Sequence, residues 1–254
     1  SGRVSYPFVQ KSRTAGYDGK GVAVIKTKED NNKMLPGPCV IEPLVNIDKE
    51  IAVIVARNER GEVAAYPAVE MEFEPEANLV EFLFCPANIS SEIEKEAADL
   101  AKATIEAFDV CGLLAVELFL TKDGNLMINE VAPRTHNSGH HTLDSCITSQ
   151  FEMQLRAVLN LPLGSTQMTS PSVMVNLLGA PDHTGPATYE GMDECMAIPG
   201  AKFHLYGKTM TKPFRKMGHA TVVDQNLEEA KKRAVALKNG LRIVSEKRVE
   251  EGDK

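Results

Sequence analysis

No stretch of this 254-residue chain approaches the roughly 18 consecutive apolar residues that a membrane-spanning helix needs. The N-terminus, Ser1-Gly2-Arg3-Val4-Ser5-Tyr6, has no apolar core of the kind a secretory signal carries. Cysteine is sparse. Cys39, Cys85, Cys111, Cys146 and Cys195 are odd in number, widely spaced and form no CxxC pair. That argues against a disulfide or zinc framework and predicts reduced, mostly buried thiols in a cytosolic, cytoplasmic protein. Basic residues are outnumbered, 28 Lys and Arg against 35 Asp and Glu, so the net charge of −7 disfavours nucleic acid and anionic membrane as partners. Internal repeats, low-complexity tracts and obvious linkers are also missing. What remains, 43% hydrophobic and 25% charged, is the composition of a soluble globular chain long enough for a sizeable core.

The residue pattern predicts strands over 6–11, 22–26, 39–44, 50–57, 63–69 and 79–84. A helix over 91–108 follows, with Ser91 and Glu94 at capping-box spacing and Ile93, Ala97, Leu100, Thr104 and Phe108 recurring along one face. Strands at 113–121 and 125–131 flank Asp123-Gly124, a hairpin-turn dipeptide. Beyond them the pattern predicts a helix over 141–159, a loop over 164–171 and a strand over 172–178. An irregular Pro- and Gly-rich stretch over 180–200 and a helix over 227–239, between Asn226 and Gly240, complete the chain. Strands and helices in mixed order argue for α+β with antiparallel sheets.

Four constellations carry chemistry. With Asp123 and Gly124 as a two-residue loop, Lys122 faces Asn125, and Glu117 falls opposite Glu130 with Cβ atoms about 5 Å apart. Like charges at that spacing repel. Either a hard divalent cation such as magnesium joins them, with phosphate oxygens completing its shell, or both glutamates face solvent at a sheet edge. A longer loop would shift the register and break the pairing. Lys11 ends a strand ahead of Gly16-Tyr17-Asp18-Gly19-Lys20-Gly21, whose backbone N–H groups can approach an anion closely. No GK[ST] opens a helix there, so it is not a Walker loop, and a plain hairpin tip is the alternative. Directly after Glu130, the residues Arg134, His136, Asn137 and Ser138 suit an anion or substrate shelf, whereas His140-His141 has no partner at zinc-ligand spacing. Lys202, His204, Lys208, Lys212, Arg215, Lys216 and His219 form a basic island without one acid, either a solvated loop or a site for a phosphate-bearing ligand.

Taken together, several segments resemble the ATP-grasp enzymes. They are Lys11 with the 16–21 loop, Val40-Ile41-Glu42-Pro43-Leu44-Val45, the run from Ile128-Asn129-Glu130 through Pro133-Arg134-Thr135-His136-Asn137-Ser138-Gly139-His140, Tyr206-Gly207-Lys208, and Arg215-Lys216-Met217-Gly218-His219. More narrowly they resemble the 5-(carboxyamino)imidazole ribonucleotide synthases, the ATPase components of phosphoribosylaminoimidazole carboxylase. The resemblance covers essentially the whole chain. It implies an α+β ATP-grasp fold of two subdomains, a small lid over 1–75 and a larger one over 76–165, then a small β-rich C-terminal region over 166–254. The doubly wound N-terminal domain with which that family begins is expected to be absent. ATP and magnesium are the implied cofactors, and aminoimidazole ribonucleotide and bicarbonate the implied reaction partners. The implied activity is a carbon–nitrogen ligation of purine biosynthesis through carboxyphosphate, in an enzyme that is a homodimer when intact.

By the same resemblance Lys11, Gly16, Tyr17, Asp18, Gly19, Lys20 and Gly21 would hold ATP phosphates. Glu42, Pro43, Leu44 and Val45 would lie against adenine, and Glu50 would take ribose hydroxyls. Glu117 and Glu130 would bind magnesium, with Asn129 beside them. Arg134, His136 and Asn137 would be catalytic, holding bicarbonate or carboxyphosphate, while Ser138, Lys208 and Arg215 would seat the nucleotide substrate and its ribose phosphate. Two positions depart from the family pattern. Thr135 stands where Pro is usual, and Val69-Glu70-Met71-Glu72 has no histidine where many relatives carry one. A chain without the first domain is expected to be weakly active or inactive alone. Another ATP-grasp carboxylase or ligase, and a non-catalytic nucleotide-binding module, are the alternatives.

Overall fold

The computed structural model describes residues 4–14, 21–74 and 79–246, so Gly16, Tyr17, Asp18, Gly19 and Lys20 lie outside the described residues. The chain opens with β1 (Phe8–Ser12), β2 (Val22–Ile25) and β3 (Cys39–Pro43), an antiparallel sheet in the order β2-β1-β3, with a 3-10 turn at Lys28–Lys33. Alternation splits its faces. Phe8, Ala23 and Ile25 pack with Leu35 on one side, while Val9, Lys11, Val22, Val24 and Glu42 look into a cleft on the other.

The larger sheet takes β4 (Ile47–Arg57), β5 (Val63–Ala65), β6 (Val69–Glu74) and β7 (Leu79–Cys85), then, after helix α1 (Ser91–Ala107), β8 (Gly112–Thr121) and β9 (Leu126–Ala132). Helices α2 (Thr142–Ser145) and α3 (Gln150–Val158) lead to β10 (Ser172–Leu178), followed by β11 (Gly185–Pro186), β12 (Thr188–Glu190), α4 (Met192–Met196), β13 (Ala201–Leu205) and β14 (Met210–Thr211). The described chain ends with β15 (Lys216–Val223), α5 (Leu227–Gly240) and β16 (Arg242–Val244). Nine strands form one antiparallel sheet, β13-β15-β10-β7-β6-β4-β8-β9, with β5 on β4. β11 pairs with β14 and β12 with β16 apart from it. The sheets therefore divide between residues 43 and 47. Strands β4, β5 and β6, which the family resemblance placed with the 1–75 lid, hydrogen-bond into the large sheet, and so do the C-terminal strands β10, β13 and β15.

Central β4 and β8 are covered on both faces. On one, Ala97, Ala101 and Ile105 of α1 meet Ile51, Val53, Val55, Leu114 and Val116. On the other, Met153 of α3 meets Ile54, Ala56, Leu113 and Ala115. Two residues further along that second face, past the end of α3, the pleat carries Glu117. Small residues again set the contact of α5, whose Ala230 and Ala234 pack with Val173, Val175 and Val222.

Several local expectations need correction. The cap of α1 is Ser90, not Ser91, and Glu94 spends its Oε1 on the Ala68 N–H (2.8 Å) instead of closing a capping box. Phe108 is exposed, because the buried stripe runs through Ala97, Ala101, Thr104 and Ile105. The single helix over 141–159 is broken. Cys146 leaves α2 in extended conformation and bridges Met168, and Ser149 caps a new start at α3 by accepting from the Glu152 N–H. The 180–200 stretch holds β11, β12 and α4. All five cysteines are free, but only Cys85 and Cys195 are buried.

Candidate active site

The hairpin of β8 and β9 builds the floor of the site. Thr121 N–H donates to the Asn125 carbonyl and Gly124 N–H to the Thr121 carbonyl, both at 2.9 Å, with Gly124 at φ +82°. The loop thus holds three residues, one more than the Asp-Gly reading assumed, and Leu120 faces Leu126 while Leu118 faces Ile128. A one-residue shift at this point restores Glu117 opposite Glu130, leaving Asn129 as the extra residue. The expected pairing is present, but it arises from two departures that cancel. Bulges re-aim side chains beside functional sites, and Asn129 Oδ1 accepts from Lys11 Nζ at 2.7 Å.

Lys11 also lies 2.8 Å from Glu42 Oε2, so its ammonium ties the small sheet to the hairpin. Between the two sheets runs a cleft of about 750 Å³. Glu117 reaches into it with its side chain 14% exposed and Oε1 3.7 Å from His136 Nε2. Glu130, on the edge strand, is exposed; the solvent-facing alternative therefore holds for one member of the pair and fails for the other. Burial, then Glu130 and Glu50, push the Glu117 carboxyl up to about 7, against an opposing pull from Lys216 and Lys11. Glu50 is raised as well, by burial first and Glu130 second. The ladder explains the grouping. Glu50 faces Phe119 and Ala52 faces Glu117, which sets Glu50 and Glu117 diagonally on one face of β4 and β8.

After β9 the chain forms the shelf. His136 Nδ1 stands 2.9 Å from Ser138 Oγ, and a 3-10 turn at Asn137–Gly139 follows. Both side-chain polar atoms of Asn137 are buried without a partner, and the residue lines the cleft. An unpaired buried amide is costly unless something outside the chain completes it. Exposed Arg134 donates through Nη1 to the Thr135 carbonyl at 3.0 Å.

Of the expected residues that are described, Lys11, Gly21, Glu42, Pro43, Leu44, Val45, Glu50, Glu117, Asn129, Glu130, Arg134, His136 and Asn137 share this cleft. Ser138, Lys208 and Arg215 stand outside its lining. Ser138 is buried behind the His136 ring, Lys208 Nζ donates to the Lys216 carbonyl beside the Tyr206 ring, and Arg215 Nη1 donates to the Met210 carbonyl at 2.7 Å. Sequence reading missed Lys216, which begins β15 and lines the cleft. Its place in the basic island was visible, but the strand start that turns it inward was not. The apolar end, with Phe73, Phe119, Leu79 and Val80, was missed because such residues read as core. Among the described residues no three His, Cys, Asp or Glu side chains are grouped to hold a metal unaided. The facing Glu117 and Glu130 do fit a hard cation whose shell is completed by outside oxygens.

Residues 1–151 match the model of the ATP-grasp domain, more than half of the sequence. The chain belongs to the ATP-grasp family. Residues 172–233 of this ATP-grasp chain match a second model, the phosphoribosylaminoimidazole carboxylase C-terminal domain. The N5-carboxyaminoimidazole ribonucleotide synthase of Synechococcus elongatus is 41% identical over 224 residues, 86% of this chain and 56% of that one. The crystal structure of N5-carboxyaminoimidazole ribonucleotide synthetase from Thermotoga maritima has a TM-score of 0.87 at 45% identity, covering 95% of this chain and 64% of that one. The Aspergillus clavatus N5-carboxyaminoimidazole synthase, crystallised with ADP and 5-aminoimidazole ribonucleotide, has a TM-score of 0.81 at 34% identity, covering 92% and 61%. The chain thus spans 56–64% of the length of these proteins. Among the described residues no helix is long and apolar enough to cross a membrane.

Proposed function

We propose that this chain is the ATP-grasp body of an enzyme that carboxylates aminoimidazole ribonucleotide on its exocyclic nitrogen, using ATP and bicarbonate. The observation that carries the reading is the Glu117–Glu130 pair, one member desolvated, in the same cleft as Lys11, Lys216 and the unpartnered Asn137 amide. Adenine would lie in the apolar end against Glu42 to Val45, with Glu50 toward the ribose hydroxyls. Lys11, with the 16–21 loop, would hold phosphate oxygens. The three-stranded sheet would act as the lid, and the intact enzyme would be a homodimer. Glu117 and Glu130 would hold magnesium, with Asn129 beside them. When bound, magnesium supplies charge neutralisation for the phosphoryl oxygens.

In the first step a bicarbonate oxygen attacks the γ-phosphorus and ADP leaves, forming carboxyphosphate. Arg134, His136 and Asn137 would hold that anhydride by hydrogen bonds and charge. In the second step the exocyclic amine nitrogen attacks the carboxyl carbon, the nitrogen loses a proton and inorganic phosphate leaves. Ser138, Lys208 and Arg215 would seat the nucleotide, the last two aimed by their bonds to main-chain carbonyls.

Calorimetry of magnesium-ADP binding to this chain and to Glu130→Gln tests the site. Expected is magnesium-dependent binding that the variant weakens by about tenfold or more. Equal binding by both removes the metal–phosphate assignment. Loss of ADP formation when bicarbonate alone is withheld separates this reaction from ligation to another acceptor. Binding without any acceptor-stimulated hydrolysis identifies a non-catalytic nucleotide module instead.

A further inference from the structure

Behind the shelf, at the head of α3, Gln150 is fully buried, and its carboxamide makes three polar contacts. Oε1 accepts from the His136 N–H at 2.9 Å, Nε2 donates to the His136 carbonyl at 2.8 Å, and Nε2 lies 2.9 Å from His140 Nδ1. A flipped amide would set its NH2 group against the His136 N–H, so the contacts decide which end is oxygen. One Nε2 hydrogen serves the His136 carbonyl and the other points at His140. Nδ1 of His140 is therefore the acceptor, and its proton sits on Nε2.

His140 is itself held in place. Its ring stacks on His219 at 4.6 Å and on Phe151 at 5.9 Å. His219 stacks in turn on His204 at 4.6 Å, and His204 Nε2 is 2.8 Å from Asp144 Oδ2. Burial pushes His140 down to about 4, which keeps the ring neutral and able to accept. Gly139 leaves room for the amide, since a Cβ there would stand 2.5 Å from Gln150 Oε1 and 2.7 Å from Cδ. One side chain thus grips both main-chain groups of the residue whose ring faces Glu117.

We propose that Gln150 is a positioning residue of this site: by holding both main-chain groups of His136 and abutting His140 Nδ1, it sets the direction in which the His136 ring meets the Glu117 carboxylate. The chemical consequence, though not the geometry, rests on His136 being part of the bicarbonate shelf. A displacement of about 1 Å at such a group costs about 100-fold in rate.

Nitrogen-resolved NMR of the imidazoles tests this first on the wild-type chain, where His140 is expected as the Nε2–H tautomer and His136 as one sharp ring signal. A proton on His140 Nδ1 overturns the proposal without any variant. Gln150→Glu keeps the shape but removes the Nε2 donor, so the His136 signal shifts and broadens and His140 changes to the Nδ1–H tautomer. Gly139→Ala displaces the amide without altering any polar group, and the His136 signal changes likewise. Retained magnesium-ADP binding shows that either variant is folded, and a folded variant with an unchanged His136 signal overturns the proposal. Bicarbonate-dependent ADP formation is expected to fall about 100-fold in both variants with the KM for ATP unmoved. Equal rates overturn the positioning role. Where the wild-type chain makes no measurable ADP with bicarbonate, the rate comparison falls away and the NMR outcome alone decides for Gln150.

Discussion

At Glu117 a carboxyl occupies a place that favours its neutral form. Its folded value, about 7, lies above the ordinary 4.5, so the native state holds the proton more tightly than the unfolded chain does. The stability it contributes is fully present below about pH 4.5 and is lost as pH rises through 7, a difference of about 3 kcal/mol. Three histidines run the other way. His140 and His141 are pushed down to about 4 and His219 to about 3, all by burial first. Their contribution is present above about 6.5 and is lost as pH falls below it. Three imidazoles outweigh the two raised carboxyls, Glu117 and Glu50, between about pH 4.5 and 6.5, so the coupling of these carboxyls to Glu130 shows in the difference between variants. Urea unfolding of the metal-free chain from pH 5 to 8 is expected to show Glu130→Gln gaining stability over wild type as pH rises toward 7.5. A constant difference across that range would mean the two carboxyls are not coupled. Lys11, Glu117 and Glu130 were legible in the sequence because charges within or at the end of apolar strand patterns stand out, and His136 because polar residues crowd directly after Glu130. Gln150 and Lys216 were not, because each owes its place to contacts with residues brought near only by folding.

Single elements show how counting along the chain succeeds and fails. Ser90→Ala is expected to cost about 1 kcal/mol, since its side chain accepts from the Ile93 N–H, whereas Ser91→Ala should cost almost nothing. Equal thermal shifts for the two would contradict the observed cap. Capping-box spacing pointed to Ser91 because Glu94 lies three residues on, yet Glu94 is engaged by Ala68 from another segment. The β8–β9 hairpin teaches the same lesson with a kinder outcome. A longer loop and the bulge at Asn129 cancel, so a register deduced from the wrong turn still set the two glutamates face to face. The break between α2 and α3 was hidden because Cys146 is extended by pairing with Met168, which lies 22 residues further along.

Over the whole molecule, the small sheet has, among the described residues, a core of Phe8, Ala23 and Ile25 with Leu35, while the nine-stranded sheet has helices packed on it. Thin cores open more readily. Amide exchange is therefore expected to be faster in β1, β2 and β3 than in β4 and β8, and magnesium-ADP should slow it chiefly in the small sheet. Uniform protection would place the small sheet in the same cooperative unit as the large one. Lys11, bound to both Glu42 and Asn129, is the described link that a ligand would reinforce.

By itself the sequence determined the α+β class, most of the strands, the ATP-grasp membership and which carboxylates, lysine and shelf residues would meet in one cleft. Periodicity, turn residues and contiguous motifs carry those properties within short windows. Only the tertiary structure decided that the C-terminal strands join the sheet through β10 on β7, that Lys216 faces the cleft, and that Glu117 is mostly withdrawn from water while Glu130 is exposed. Strand pairing across long separations and the loss of water around a charge belong to the packed whole, and no local window contains them.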